Sequence, residues 1–300
     1  MPKVSVVVPA YNAEGTLGQT LASVLGQTFE DLEVVVVDDG SSDGTADVAR
    51  AGGDARVRLV QVQNGGVARA RNRGVAEAQG ELIAFLDSDD VWLSEKLESQ
   101  VEMMGARNEI GVVFTAARYV DSQMRSIGEI PALDYADYSE ALLLYSVVIA
   151  GSCSSGMVRR TIVDDVGGFD PAFSQSADWD FWLRVSRVTQ IAPVAASLVL
   201  CRKHTSNMSS DVSLLERDTF AVLKKTFEDP AFVPYQPIRR RVYSNHWLIC
   251  SGSYLHAGQL GPALRCLARA VQEDPSNAAR PLGFPVRWLR RVSSGRQRQA

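Results

Sequence analysis

Leu82-Ile83-Ala84-Phe85-Leu86 runs without a break into Asp87-Ser88-Asp89-Asp90. Five consecutive apolar residues read as a short strand buried on both faces, the kind found in a parallel sheet. The acids begin where that strand must stop. Two earlier runs repeat the arrangement. Val4-Ser5-Val6-Val7-Val8 ends at Pro9 and opens on Tyr11-Asn12, and Val34-Val35-Val36-Val37 opens on Asp38-Asp39-Gly40-Ser41-Ser42-Asp43-Gly44. Between these two, Leu17, Leu21, Val24 and Leu25 recur at helical spacing. Helices are predicted over 45–50 and 67–78, the second stopped by Gly80 as its C-cap, with a strand over 57–62 between them. This βαβαβ rhythm predicts an α/β fold with a mostly parallel central sheet and helices on both faces. Ligands of open α/β sheets bind beyond the carboxyl ends of the strands. The polar residues after the three runs are therefore predicted to meet in one crevice.

Downstream the pattern is mixed from about 111 to 200, with a strand at Val112-Val113-Phe114 and a helix over 178–188. Beyond about residue 210 it turns helical, and 243–257 with 260–271 reads as a helical hairpin closed by Asp274-Pro275. The formal net charge of -4 argues against nucleic-acid binding as the main role. Cys153, Cys201, Cys250 and Cys266 lie too far apart for a zinc cluster or a disulfide framework, so buried, reduced thiols in a cytoplasmic protein are expected. The chain is expected to enter its first strand without a signal peptide. The longest apolar stretch, 141–151, is about half of the ~20 residues a membrane span requires.

Asp87 and Asp89, two carboxylates at i and i+2 past a buried strand, can approach one hard cation. Mg²⁺ or Mn²⁺ prefers such oxygen ligands and keeps waters and phosphate oxygens in its shell. An ion there would neutralise a departing nucleotide diphosphate; a solvated acidic turn is the plain alternative. Asp38 and Asp39 can accept a hydrogen bond from a nucleotide base, or can simply form an Asx turn that opens the next helix. The stretch is not a Walker loop, since Gly-Lys-Ser/Thr is missing.

Taken together, the blocks resemble the family 2 glycosyltransferases. The resemblance rests on Val4-Ser5-Val6-Val7-Val8-Pro9-Ala10-Tyr11-Asn12-Ala13-Glu14, Val37-Asp38-Asp39-Gly40-Ser41-Ser42-Asp43-Gly44-Thr45 and Gly66-Val67-Ala68-Arg69-Ala70-Arg71-Asn72-Arg73-Gly74. It continues through Phe85-Leu86-Asp87-Ser88-Asp89-Asp90, Gly167-Gly168-Phe169-Asp170 and Asp178-Trp179-Asp180-Phe181-Trp182-Leu183-Arg184. It covers roughly residues 3 to 210 in the family's order. It implies a nucleotide-diphospho-sugar transferase (GT-A-like) fold and transfer of a sugar from a nucleotide-sugar, expected to be a UDP-sugar, with inversion at the anomeric carbon. Pro9, Tyr11 and Glu14 match the family's first nucleotide-contacting loop, and Asp39 with Asp38 matches the acid that recognises the base. Arg71 matches a basic residue near the donor, able to pair with phosphate. Asp87 and Asp89, with Ser88 between them in the donor site, match the metal-binding triplet, and Asp89 is the more direct ligand to Mn²⁺ or Mg²⁺. Asp178 matches the catalytic base. Ala177 departs from the pattern, standing where the family commonly has glutamate, and this leaves acceptor placement open. Arg202 and His204 resemble the segment closing the catalytic domain, with His204 in reach of the metal or diphosphate.

These readings divide the chain into a catalytic domain over 1–210, a helical region over 211–285 with a tetratricopeptide-like hairpin, and a basic tail over 286–300. A lone hairpin of that type cannot bury its face, so it is expected to pack on the catalytic domain or a protein partner. No acid occurs from residue 275 to 300, while Arg280, Arg287, Arg290, Arg291, Arg296 and Arg298 are basic. Contact with an anionic membrane beside a lipid-linked or glycan acceptor is the corresponding expectation, with a solvated tail the alternative. Synthesis of a cell-surface polysaccharide or glycolipid would follow. Two rival readings are a catalytically silent scaffold and a nucleotidyltransferase, the latter lacking the Gly-rich, Arg-containing loop it would need after the first strand.

Overall fold

The structure is a computed structural model and describes residues 1–144, 149, 153–203 and 211–279. Four strands, β1 (Val4–Ala10), β2 (Leu32–Asp38), β3 (Val57–Gln61) and β4 (Leu82–Phe85), lie parallel in the order β3-β2-β1-β4. Their connecting helices are α1 (Leu17–Leu25), α2 (Thr45–Ala51) and α3 (Val67–Glu77). The chain builds outward from β1 through β2 to β3, then returns to the other side of β1 as β4. The switch point where ligands enter an open α/β sheet therefore falls at the carboxyl ends of β1 and β4. Valine supplies most of β1 and β2, and these strands are buried along their lengths because helices cover both faces.

Pro9 is tolerated in this central strand for a positional reason. The last rung between β1 and β4 pairs Val7 with Phe85, two residues before Pro9, so Pro9 stands past the β4 ladder while still in register with Val37 of β2, and its missing N–H falls where the β4 pairing has ended. Gly80 does not cap α3 as predicted: the C-cap is Ala78, in extended conformation. A Cβ on Gly80 would stand 2.7 Å from the Ser5 backbone nitrogen, so the residue is small because β1 passes against it.

Beyond β4 come β5 (Val91–Trp92), α4 (Lys96–Ala106), β6 (Ile110–Val120), β7 (Ser126–Ile130), α5 (Tyr138–Leu143), β8 (Gly156–Arg159), α6 (Arg160–Asp165), α7 (Ala177–Val185) and β9 (Gln190–Arg202). They extend the sheet as β4-β8-β6-β9-β5, with β8 antiparallel to both its neighbours and β7 paired to β6. The helix expected over 178–188 begins and ends earlier, at Ala177 and Val185.

Residues Met1–Ser210 form one compact unit and Asp211–Ala300 a second. The second contains α8 (Val212–Glu228), a 3-10 segment Pro230–Ile238, α9 (Arg239–His256) and α10 (Leu260–Glu273). Its core gathers Val212, Cys250, Tyr254, Ala263 and Cys266. Ser244 and Ser251, buried on α9, donate to the carbonyls of Ala270 and Ala263 on α10, which fixes the hairpin seam. No helix among the described residues is long and apolar enough to cross a membrane.

Candidate active site

The loops after β1 and β2 are stitched to one another. Asn12, in the left-handed region at φ 49°, accepts through Oδ1 from the Ser42 N–H at 2.9 Å. Its own N–H donates to Ser41 Oγ at 2.9 Å, and the Ala13 N–H donates to Thr45 Oγ1 at 2.7 Å. Glu14 accepts from the Gly44 N–H at 3.1 Å, so its carboxylate holds the opening of α2. Tyr11 remains 55% exposed at the lip, a flat ring presented to solvent beside the carboxyl ends of the strands.

Asp38 and Asp39 are both buried, and their roles separate. Asp38 accepts from the Ser41 N–H and from Gln61, closing the turn after β2. Asp39 receives the Gly65 N–H on one oxygen at 2.9 Å and the Gly66 N–H on the other at 2.8 Å. That carboxylate thus shapes the entry to α3, where Gly66 sits at φ 88°. A carboxylate has about four acceptor sites, so these two bonds leave it able to accept another donor.

Arg71, on α3, is the hub of the crevice. It is 3% exposed, and its Nη2 donates to Asp87 Oδ1 at 2.6 Å. Its guanidinium lies 5.3 Å from the centre of the Phe169 ring. Burial by itself would weaken the cation, but the facing Cys153, Asp87 and Asp178 raise its pKa above the ordinary value. Burial likewise pushes the Cys153 thiol upward, so it is neutral at pH 7 and the two carboxylates are the charges that face Arg71.

Asp87, Ser88 and Asp89 are half-buried in the turn after β4. Thr20 Oγ1 bonds the carbonyls of Ser88 and Asp90, and Arg202 Nε bonds that of Asp89 at 3.0 Å. Asp90 is buried and accepts from the Arg202 N–H. Burial first, then the Asp87 and Asp89 carboxylates, push its carboxyl well above the ordinary range. Three carboxyl groups are thereby crowded at one turn. Among the described residues, no group of three His, Cys, Asp or Glu side chains stands as a metal cluster; His204 lies outside those residues.

Asp178 occupies the second position of α7, whose N-cap is Ser176, so it is not the cap residue. Its Oδ1 accepts from the Trp179 N–H at 2.8 Å, which orients the carboxylate. Ala177 is buried and offers no polar group. Trp179 and Trp182 are buried too; the first donates to the Leu142 carbonyl, and the second lies under Gly156. They are core residues.

Asn72 and Arg184 link these parts, in roles that their place in the motif blocks does not reveal. Asn72 clamps the Phe169 backbone with two bonds, at 2.8 and 2.7 Å, and so places the ring on which Arg71 rests. Arg184 bonds the carbonyls of Val166 and Gly168 and the carboxylate of Asp180, tying α7 to the same loop. Ser154, whose hydroxyl accepts from the Asp87 N–H at 3.1 Å, was also missed. It belongs to no motif, and 67 residues separate it from Asp87.

The glycosyl transferase family 2 model matches residues 5–167, more than half of the 300-residue chain. The chain is 29% identical over 247 residues to the Escherichia coli UDP-Glc:alpha-D-GlcNAc-diphosphoundecaprenol beta-1,3-glucosyltransferase WfgD, covering 82% of this chain and 92% of that protein. It is 44% identical over 110 residues to the putative teichuronic acid biosynthesis glycosyltransferase TuaG of Bacillus subtilis, across 36% of this chain and 44% of the relative. It spans 36% of the length of an uncharacterised glycosyltransferase of Rickettsia felis. Among solved structures, S. aureus TarS 1-349 in complex with UDP-GlcNAc superposes with a TM-score of 0.60 at 18% identity, over 90% of this chain and 92% of that one. The Pyrobaculum calidifontis mannosyltransferase PcManGT, in complex with GDP-Man and Mn2+, gives 0.60 at 20% identity, over 95% and 80%. These two share the GT-A fold with this chain. With the family model running from β1 through the acidic turn to the loop before Phe169, the chain belongs to the family 2 glycosyltransferases.

Proposed function

We propose that this glycosyltransferase transfers a sugar from a UDP-sugar to an acceptor hydroxyl with inversion, using residues 1–210 as its catalytic unit and a divalent cation at Asp87 and Asp89. The observation that supports this most is the position of Arg71. One buried guanidinium faces both Asp87, on the donor side, and Asp178, the candidate base.

The acidic turn fits Mn²⁺ or Mg²⁺. Its donors are hard oxygens, and crowding of Asp87, Asp89 and Asp90 is a charge excess that a cation relieves. Two protein carboxylates leave coordination positions for water and diphosphate oxygens, the usual arrangement for these ions. When bound, the ion would stabilise negative charge on the departing diphosphate. Tyr11 offers a ring for the base, Asp39 an acceptor for a base N–H, and Arg71 a second positive charge below the phosphates. Asp178 accepts the proton of the acceptor hydroxyl as its oxygen bonds to the anomeric carbon and the bond to diphosphate breaks, the electron pair leaving with UDP. The WfgD relative is named for a lipid-linked acceptor. With the basic tail, this supports a membrane-bound or glycan acceptor and a role in cell-surface polysaccharide or glycolipid synthesis.

The test is calorimetric titration with UDP, with and without Mn²⁺, beside a transfer assay on Asp178→Asn. UDP binding should require the metal. The variant should bind UDP normally and lose transfer by about 10²–10⁴-fold, the range of general-base catalysis. Transfer at the wild-type rate would remove Asp178 from its role, and metal-independent UDP binding would remove the cation.

A further inference from the structure

Lys96 opens α4 with its side chain fully buried, 0% exposed. Among the described residues no carboxylate pairs with it. Its Nζ donates to Gln100 Oε1 at 2.7 Å and lies 3.8 Å from the centre of the Trp92 ring. A buried amine without a counter-ion is costly, and burial pushes its pKa well below the ordinary lysine value. A methionine of the same reach would fill this space without that cost, so the amine is retained for what it holds.

What it holds is the orientation of an amide. With Oε1 of Gln100 committed to Lys96, the Nε2 group must face the other way. It donates both hydrogens, to the Val113 carbonyl at 2.8 Å and to the Ser155 carbonyl at 2.9 Å. Trp92, whose ring lies under the same amine, donates from Nε1 to the Ser154 carbonyl at 2.8 Å. Two successive carbonyls are thus fixed from one buried cluster. The Ser154 hydroxyl then accepts from the Asp87 N–H at 3.1 Å. Gln100, Ser154 and Ser155 are themselves 0% exposed, so water cannot substitute for any link.

We propose that Lys96, Gln100 and Trp92 form a buried bracket that positions the acidic turn through the Ser154–Ser155 backbone, making Lys96 a positioning residue for the donor site. Its consequence for the metal rests on the donor-site reading above; its consequence for the turn does not. The amine acts at a distance: it contacts neither donor nor cation, and the Ser154–Ser155 backbone that its cluster fixes carries the hydroxyl that holds the Asp87 N–H.

The test compares Lys96→Met and Trp92→Phe with the wild-type full chain by three measurements: thermal unfolding, amide hydrogen exchange over residues 86–91, and the Mn²⁺ concentration needed for UDP binding. In Lys96→Met the melting temperature should change little, because relief of the buried amine is offset by the loss of the donor to Gln100 Oε1. Exchange over the turn should quicken, and the Mn²⁺ requirement should increase about tenfold, the scale on which outer partners of a metal site act. Trp92→Phe keeps the ring and removes the Nε1 donor, and it should move the last two measurements in the same direction. The double variant should fall short of the sum, because both residues act on one backbone segment. A lowered melting temperature with unchanged exchange would make Lys96 merely structural and overturn the proposal. Should Lys96→Met not fold, wild-type exchange in Trp92→Phe would overturn it equally. If the wild-type chain binds UDP without Mn²⁺, the donor-site reading fails, and the exchange rates alone decide this one.

Discussion

Arg71 carries its charge in a nearly dry position, and the crevice depends on it at close range. Replacing it with methionine would leave Asp87 and Asp178 without the cation that attracts both. A hydrogen bond to a charged group contributes about 1.5–3 kcal/mol, so UDP affinity in Arg71→Met should fall by about one to two orders of magnitude by calorimetry. Arg71→Lys should recover little, because the ammonium lacks the planar face that rests on Phe169. Much of this was open to sequence reading: Asp87 and Asp89 follow a strand, Asp178 opens a helix, Arg71 lies within α3, and all four stand in family blocks. Other residues were not legible. Asn72 and Ser154 act through bonds to backbone atoms 97 and 67 residues away, and no local pattern announces such a bond. Asp39 was legible as an acid, but its grip on the Gly65 and Gly66 amides depends on loop geometry.

At the level of elements, α3 must lie close on β1 for Arg71 to reach Asp87. Gly74, one turn along α3, makes that approach feasible. A Cβ there would stand 2.3 Å from Val7 Cγ1 and 3.3 Å from Val37 Cγ2, both valines being fully buried. Valine cannot swing away, since its branch is fixed against the strand. Gly74→Ala should therefore cost about 1–3 kcal/mol in urea denaturation, the usual penalty for overpacking, and weaken UDP binding by displacing Arg71. Gly52→Ala is the control: nothing lies within 4 Å of its added Cβ, so stability should hold or rise slightly. The first four strands and the α9–α10 hairpin were readable because each is a local pattern of sufficient length. The strands beyond β4 were harder for a physical reason. β8 has four residues and is placed between β4 and β6 by contacts with distant segments, while β9 carries exposed and buried positions without strict alternation.

For the whole chain, charge is distributed in a way that the net value of -4 conceals. The acids of the catalytic crevice and the arginines of the C-terminus belong to different parts of the sequence, so donor binding and surface attraction can be separated experimentally. Fold class was legible at this scale because strand, helix and acidic turn follow one another in order. The surface role proposed for the tail rests on composition alone, since binding to a bilayer depends on charge density rather than on a motif. Each arginine near an anionic surface contributes about 1 kcal/mol, reduced by salt over a Debye length of about 8 Å at physiological ionic strength. Changing Arg287, Arg290, Arg291, Arg296 and Arg298 to glutamine should reduce cosedimentation with phosphatidylserine-containing vesicles by more than tenfold at low salt. Zwitterionic vesicles should show little binding in either case. UDP affinity should stay at the wild-type value, because the crevice residues among those described, Tyr11 to Arg202, all precede the tail. Transfer to a lipid-linked acceptor in vesicles should fall, while transfer to a soluble acceptor of the same sugar should not. Equal sedimentation of the variant and the wild-type chain would show that the tail does not supply the membrane contact, and the hairpin of α9 and α10 would then be the surface to examine.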